Sequence, residues 1–182
     1  AEELGDRSLR LTAITNALKV AERMNDHSSV IALRRMQANV YLNVPSGTPS
    51  DDDKDQALLA AEAGISWLDS HSETIDSEEL IFLRAGIEYI RGWVYMKRNE
   101  PEIAIPILRQ SHEMQKEIKD SQNYPFPLAA LADCYTQLGD TDALRDLVTE
   151  INETAKKAHS SGSKLRALAR DIEKQLSDQG EA

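Results

Sequence analysis

Two segments of the chain superpose without a gap, and this repetition restricts the possible folds more than any other feature of the sequence. Residues 24–42, MNDHSSVIALRRMQANVYL, align with residues 118–136, IKDSQNYPFPLAALADCYT. The coinciding pairs are Asp26 with Asp120, Ala38 with Ala132, and Tyr41 with Tyr135. A partial third copy places Gly92 and Tyr95 at the same three-residue step. Such self-similarity is typical of an array built from one repeated supersecondary unit.

The repeated unit is predicted to be helical, because apolar residues recur at three- and four-residue steps along most of the chain. Strong helix formers dominate the composition, and only 8 glycines and 6 prolines interrupt 182 residues. Capping and turn residues divide the chain into eight predicted helices, with no strand. Their predicted bounds are 6–25, 27–44, 55–70, 76–97, 101–119, 127–138, 141–158 and 163–178.

Several predicted boundaries carry specific local signals. Asp26 and Asp76 are expected N-caps, because an aspartate side chain can accept a backbone N–H of the first helical turn. Asp76 and Glu79 also have the spacing of a capping box. Residues 44–55 contain two prolines, a glycine and an acidic run, which predicts an exposed loop. This loop is either a local elaboration or a contact surface.

Charge and composition exclude several classes of function. The formal net charge is -10, which argues against nucleic acid or an anionic membrane surface as a partner. No apolar run approaches the ~20 residues of a membrane span, so we expect no membrane insertion. The single cysteine, Cys134, cannot form an internal disulfide, and we expect a cytoplasmic location. The chain lacks an initiator methionine, which favours a fragment or a processed protein.

The sequence offers little for catalysis or metal binding. Its histidines, at positions 27, 71, 112 and 159, lack the i, i+4 pairing of a helical metal site and are interpreted as surface residues. Cys134 directly precedes Tyr135 and has no neighbouring histidine or lysine, so a buried spacer is favoured over a nucleophile. We therefore predict no enzyme activity, no cofactor and no metal.

The repeated residues resemble those of the tetratricopeptide repeat (TPR) family. Helix pairs of that family carry a small residue, an aromatic residue three positions later, often Gly-Asp at the turn, and a small residue early in the second helix. The matching residues are Ala38, Tyr41 and Ala57 in the first pair, Gly92, Tyr95 and Ala104 in the second, and Leu131, Ala132, Tyr135, Gly139, Asp140 and Ala143 in the third. The three tyrosines are assigned to the core on this basis.

The resemblance implies an all-α fold, a right-handed α-solenoid of antiparallel helix pairs that forms a tetratricopeptide-like superhelix. The pairs would occupy residues 27–71, 76–119 and 124–159. Residues 6–25 would form an orphan N-terminal helix, and residues 163–178 a capping helix.

The resemblance further implies a concave groove lined by the first helix of each pair, and hence a protein- or peptide-binding module of a larger regulatory or scaffolding protein. The projected groove residues are Arg35, Asn39, Tyr89, Trp93, Met96, Asp133 and Thr136. Arg35 and Asn39 resemble the start of the carboxylate clamp of chaperone-binding members, but Ile90, Phe126 and Ala130 do not fit its later positions. Trp93 is the best candidate for a ligand contact, and interhelical packing is its alternative role.

A second function, homo-oligomerisation through the helical ends with no groove ligand, is also open. The orphan helix carries a predicted apolar stripe of Leu9, Ala13, Ala17 and Val20. This stripe must cover the first helix pair or meet another chain, because the ends of a helical array need a polar surface.

Overall fold

A computed structural model describes residues 2–44, 47–118, 125–158 and 161–180. These residues form eight α-helices and no strand, as the sequence predicted. The helices are α1 (Glu2–Met24), α2 (His27–Leu42), α3 (Asp51–His71), α4 (Ser77–Lys97), α5 (Pro101–Glu117), α6 (Pro125–Leu138), α7 (Thr141–Lys157) and α8 (Gly162–Gly180). Asp120, His159 and the predicted pair bounds at 119, 124 and 159 lie outside the described residues.

The connection between α2 and α3 is shorter than predicted, because α3 begins at Asp51 and not at residue 55. Ser50 caps this helix through a capping box: its hydroxyl accepts the Asp53 N–H, and the Asp53 carboxylate accepts the Ser50 N–H. Three aspartates in the first turn also complement the positive end of the helix dipole. The acidic run therefore initiates α3 and does not belong to the loop.

The other caps show how local chemistry determines helix bounds. The side chain of Asp26 accepts the Ser29 N–H at 3.0 Å. Asp76 accepts the N–H groups of two residues in the first turn of α4, but the predicted capping box is incomplete. The Glu79 carboxylate instead accepts the Ser28 hydroxyl at 2.6 Å and so connects α4 to α2. α6 begins at Pro125, earlier than the predicted residue 127, because proline is tolerated in a first turn.

The helices contact one another in a regular order. Each helix packs against the next along the chain, and α2 also packs against α4, α4 against α6, and α6 against α8. No other pair of helices in the described ranges has Cα atoms within 8 Å. The even-numbered helices thus form a continuous row, whereas the backbones of odd-numbered helices approach only even-numbered ones. No described helix is both long and apolar enough to cross a bilayer.

α4 connects two of the three buried clusters of the core. One cluster is formed by side chains from α2 to α4, and a second by side chains from α4 to α8. Tyr89 and Trp93 of α4 pack partly buried against both. The third cluster joins α1 to α2. The residues between the two larger clusters are therefore held from both sides.

Small residues allow close packing between α4 and α5. A Cβ atom added at Gly92 would lie 2.7 Å from Leu108 Cγ and Cδ2. Further along the same interface, the buried Ser111 hydroxyl donates to the Ala85 carbonyl oxygen at 2.8 Å. The small residue at the repeat position therefore permits close helix packing in this pair.

The repeated tyrosines lie at the edges of the core and not fully within it. Tyr41, Tyr95 and Tyr135 are all partly buried, and each packs against a cluster. This corrects their assignment to the core. Because a phenol has a polar end, partial burial leaves its hydroxyl access to polar partners.

Two of these tyrosines take part in the same three-residue arrangement. The Arg7 guanidinium of α1 lies 5.4 Å from the centre of the Tyr41 ring and pairs with Asp53 of α3. Equivalent contacts join α5, α6 and α7, where the Arg109 guanidinium lies 5.9 Å from the centre of the Tyr135 ring and pairs with Glu150. At both Tyr41 and Tyr135, an arginine thus connects the tyrosine to the next odd-numbered helix. α3 contains no arginine that could do the same at Tyr95.

α1 packs through a different face from the predicted one. Its buried residues are Ile14, Leu18 and Ala21, which contact Val30 of α2. The predicted stripe of Leu9, Ala13, Ala17 and Val20 is exposed. Near the middle of α1, Ile14 and Leu18 offer more apolar surface for burial than Ala13 and Ala17 do, which favours the Ile14–Leu18 face.

We expect the Gly92→Ala substitution to destabilise the protein by about 1–3 kcal/mol through overpacking against Leu108. The sign is diagnostic, because glycine to alanine within an uncrowded helix stabilises by ~0.5–1 kcal/mol. Urea unfolding of the single variants and of the double variant with Leu108→Ala measures the effect. We expect Gly92→Ala to lower the free energy of unfolding by less when Leu108→Ala is also present. If Gly92→Ala alone stabilised the protein, the close packing at this position would be contradicted.

Candidate functional site

Three aromatic rings form a continuous surface across α4 and α6. Tyr89 and Trp93 are four residues apart on α4, so they lie on one side of the helix. Their rings stack with centres 6.4 Å apart and planes 8° from parallel. The Phe126 ring of α6 lies 5.9 Å from Tyr89, and Phe126 is 50% exposed. The surface is therefore anchored in the core and open to solvent along its edge.

Charged side chains flank these rings. Arg35 of α2 packs over Gly86, where an added Cβ would lie 2.9 Å from Arg35 Nη1. Lys97 Nζ lies 5.8 Å from the centre of the Trp93 ring, and Asp133 is exposed on α6. We refer to the six residues that form this surface as the α2–α4–α6 face. They are Arg35, Tyr89, Trp93, Lys97, Phe126 and Asp133.

The ionisable groups of the face are partly desolvated. Burial raises the pKa of Tyr89 to about 12, and the nearby Arg35 charge opposes that shift. Burial also lowers the pKa of the Arg35 guanidinium. Asp133 remains exposed, yet surrounding protein atoms displace enough water to raise the pKa of its carboxyl, against the effect of Lys97. Electrostatic contacts to a ligand are stronger in such a setting than in bulk water.

The structure brings together four of the seven residues predicted for the groove: Arg35, Tyr89, Trp93 and Asp133. Met96 is wrongly placed in that prediction, because it is 3% exposed. Its flexible side chain fills the core among α5, α6 and α7.

The remaining two predicted residues lie beside the face. Thr136 is half-buried: its hydroxyl donates to the Ala132 carbonyl oxygen at 2.8 Å and accepts from Gln175 Nε2 of α8 at 3.2 Å. Asn39 is half-buried and lies towards α1.

Two neighbouring clefts extend the face towards α1. A cleft of about 280 Å³ lies between Trp93 and Lys97 on one side and the end of α2 with its connection to α3 on the other. A larger one, of about 710 Å³, lies between α1 and α2 and includes Asn39. Asn43 borders both clefts. The α2–α3 connection, predicted as an elaboration or a contact surface, therefore borders the candidate site.

The sequence interpretation missed two members of the face. Phe126 was considered only as a mismatch to a carboxylate clamp, although the exposed aromatic side chain follows a proline at a helix start. Lys97 follows Trp93 by four residues, and this spacing signals a shared side of the helix.

A separate cluster has the composition of a metal site. Ligand atoms of His112, Glu113 and Glu150 lie within 4.8 Å of one another. However, Glu150 already pairs with Arg109, and Glu113 pairs with Lys116. A guanidinium on the central carboxylate competes with a cation for the same oxygen atoms, so this cluster is interpreted as an ion-pair network.

Two predictions about polar residues have opposite outcomes. His112 is completely buried, with Nε2 at 3.2 Å from Glu150 Oε1, so its interpretation as a surface residue is wrong. Cys134 is buried as predicted, and burial raises the pKa of its thiol to about 12. A thiol that remains protonated at neutral pH is a poor nucleophile.

Two histidines that are distant in sequence meet around Trp67. Trp67 Nε1 donates to His27 Nδ1 at 3.2 Å, and the His71 ring stacks on the indole with centres 4.0 Å apart. These contacts join the start of α2 to the end of α3. Trp67 therefore has a packing role at the junction of α2 and α3.

The chain matches no family model, and no curated protein or solved structure is significantly similar to it. The functional interpretation therefore depends on the chemistry and geometry of the face.

The ion-pair network predicts a loss of stability in acid. Glu150 contacts His112 and accepts a hydrogen bond from Arg109. These two interactions hold the pKa of Glu150 at about 2, although burial acts in the opposite direction. Because this pKa is depressed below the ordinary glutamate value of 4.5, the stabilisation is complete above that pH and is lost as pH falls towards 2. We expect Glu150→Gln to cost about 2–3 kcal/mol at pH 7.

Urea unfolding of both proteins between pH 7 and pH 2.5 measures this effect. The difference in unfolding free energy between wild type and Glu150→Gln should shrink as pH falls. Asp142→Asn is a matched control, since Asp142 pairs with Arg145 on the exposed surface of the same helix. A difference that is constant with pH would contradict the role of the Glu150 charge.

Proposed function

We propose that this chain is a protein- or peptide-binding module that holds an extended segment of its partner on the α2–α4–α6 face. It would form part of a larger regulatory or scaffolding protein. The observation that carries this proposal is the continuous surface of Trp93, Tyr89 and Phe126, held by the core yet open at its edge. Rigid aromatic residues of this kind are enriched where proteins bind one another.

In this proposal the helices stack as a right-handed α-solenoid of antiparallel pairs, similar to tetratricopeptide repeats. The order of helix contacts supports an open stack, because the even-numbered helices touch in a row while the odd-numbered backbones stay apart. Because the even-numbered helices lie closer together than the odd-numbered ones, the proposed stack curves, with the even-numbered helices on its concave side. The repeated arginine–tyrosine–carboxylate arrangement at Tyr41 and Tyr135 supports the repeat register.

Energetic magnitudes favour an aromatic anchor. Truncating a well-buried interface aromatic costs ~2 kcal/mol or more, whereas an exposed ion pair contributes ~0–1 kcal/mol. We assign no catalysis or cofactor, because the Cys134 thiol is buried and Glu150 is already paired with Arg109. A cytoplasmic location is part of the proposal and is compatible with a free buried thiol.

A second proposal, homo-oligomerisation through α1, rests on the exposed apolar side chains of that helix. Leu9, Val20 and Met24 are 71%, 55% and 73% exposed. At the opposite end, every exposed side chain described in α8 is polar, which is typical of a cap. Analytical ultracentrifugation across a range of concentrations distinguishes a dimer from a monomer. Association through α1 predicts a dimer that Val20→Glu dissociates. A concentration-independent monomer would exclude it.

The groove proposal predicts that Trp93→Ala weakens peptide binding by about thirty-fold, which corresponds to ~2 kcal/mol. The measurement is retention of degenerate heptapeptide pools on the immobilised full chain. Leu59→Ala is the control, because Leu59 is an exposed apolar residue of α3 outside the face. Circular dichroism confirms that each variant is folded. Equal retention by wild type and a folded Trp93→Ala variant would rule out the proposed anchor.

A further inference from the structure

Arg35 differs from every other half-buried arginine in the described part of the chain. Each of the others forms an ion pair with a carboxylate; these are Arg7, Arg34, Arg84, Arg91, Arg98 and Arg109. No described carboxylate lies within ion-pair distance of Arg35. The lack of an acidic partner is unexpected from the composition, because the chain has 31 aspartates and glutamates and only 21 lysines and arginines. The missing partner is therefore specific to this position.

An unpaired, partly buried guanidinium is unfavourable for the isolated chain. Burial removes water from the charge, and no carboxylate in the described part of the chain compensates for the loss. A carboxylate that arrives with a ligand would supply the missing partner. Guanidinium groups suit this role, because their planar donors can form two parallel hydrogen bonds to one carboxylate.

The surroundings of Arg35 hold its guanidinium in place. Because Gly86 has no side chain, the Arg35 guanidinium can occupy the space beside it. A Cβ atom at Gly86 would lie only 2.9 Å from Arg35 Nη1. Tyr89 is close enough for the Arg35 charge to act on its phenol. The cation therefore lies near the aromatic surface.

Arg35 also lies in the middle of the surface and not at one end of it. On α4, Phe82 precedes Gly86 by one helical turn and is 44% exposed. Trp93 follows Gly86 by about two turns and borders the cleft at the end of α2. Apolar surface thus continues on both sides of the guanidinium, which suits a chain that passes across it.

We propose that Arg35 binds the side-chain carboxylate of an aspartate or glutamate within the partner peptide, while neighbouring apolar side chains of that peptide pack against Trp93 and Phe126. This inference rests on the proposed peptide-binding function and specifies its ligand. The partner segment is acidic and apolar, extended, and bound through its interior.

The test uses four heptapeptide pools, all N-acetylated, with uncharged residues mixed at every position except the fourth. Three pools are C-terminally amidated and carry Glu, Gln or Lys at the fourth position. The last pool carries Gln there and a free C-terminal carboxylate. Each is applied to the immobilised full chain of wild type and of the Arg35→Gln, Arg166→Gln and Trp93→Ala variants. Arg166 is the matched control, an exposed arginine of α8.

Wild type should retain the Glu pool most strongly. Arg35→Gln should lower that retention by roughly ten- to hundred-fold, the range expected for losing a charge-assisted hydrogen bond, to the level of the Gln pool. Arg166→Gln should not change it. Equal retention of the Glu and Gln pools by wild type overturns the inference, as does a preference for the free-carboxylate pool alone.

The Trp93→Ala variant separates this inference from the function it rests on. If Trp93→Ala reduces retention of all pools but none prefers Glu, the binding face stands and the role of Arg35 fails. If no pool is retained, or Trp93→Ala changes nothing, the proposed function itself fails.

A thermal melt distinguishes ligand binding from a structural role for Arg35. Removing an unpaired, desolvated charge should leave the melting temperature of Arg35→Gln unchanged or raised. A clear fall in melting temperature would show that the guanidinium supports the fold, and would overturn its assignment as a ligand contact.

Discussion

The close packing of α4 against α5 at Gly92 is the constraint on which the rest of the structure depends. It commits one side of α4 to α5, while the same helix also contacts α2, α3 and α6. Tyr89 and Trp93 remain between the two larger clusters, partly buried and facing the neighbouring even-numbered helices. A core interaction on one side of the helix thereby orients the proposed binding residues on another.

Arginines divide the tasks of stability and recognition in this protein. Arg7 and Arg109 each cover a repeated tyrosine and pair with an acidic residue on the next odd-numbered helix. They connect helices whose backbones do not approach each other. Arg35 is also partly buried but has no described acidic partner, and it lies close to Gly86 on the side of α4 that carries the exposed aromatic surface. The same type of side chain therefore joins helices at two places and is proposed to recognise a ligand at a third.

Helix bounds marked by a capping side chain were predictable from sequence because caps act locally, as Asp26 shows by accepting the Ser29 N–H. Arg35, Tyr89, Trp93 and Asp133 were chosen by projecting the repeat pattern onto the first helix of each pair, and their location on neighbouring helices is what that projection predicts. Periodicity could not decide between two apolar sides of α1, where the larger Ile14 and Leu18 are buried and the alanine-rich stripe is exposed.

Long-range partners were beyond local patterns. His112 was mistaken for a surface residue because its partner, Glu150, lies on a different helix. Met96 was misplaced because the end of α4 packs into the core formed with α5, α6 and α7, and the spacing along α4 does not show this. Such contacts depend on how helices dock, which a single sequence does not specify.

The separation between the two ends of the helix row tests the proposed open stack most directly. Electron–electron double resonance can measure it between spin labels at Lys19→Cys in α1 and Lys174→Cys in α8, with the buried Cys134 left unlabelled. Because packed helices lie ~8–10 Å apart, steps along the row from α1 to α8 predict a label separation on the order of 30 Å or more. A separation of about one helix spacing would show that the helices close around a common axis, and would contradict the account.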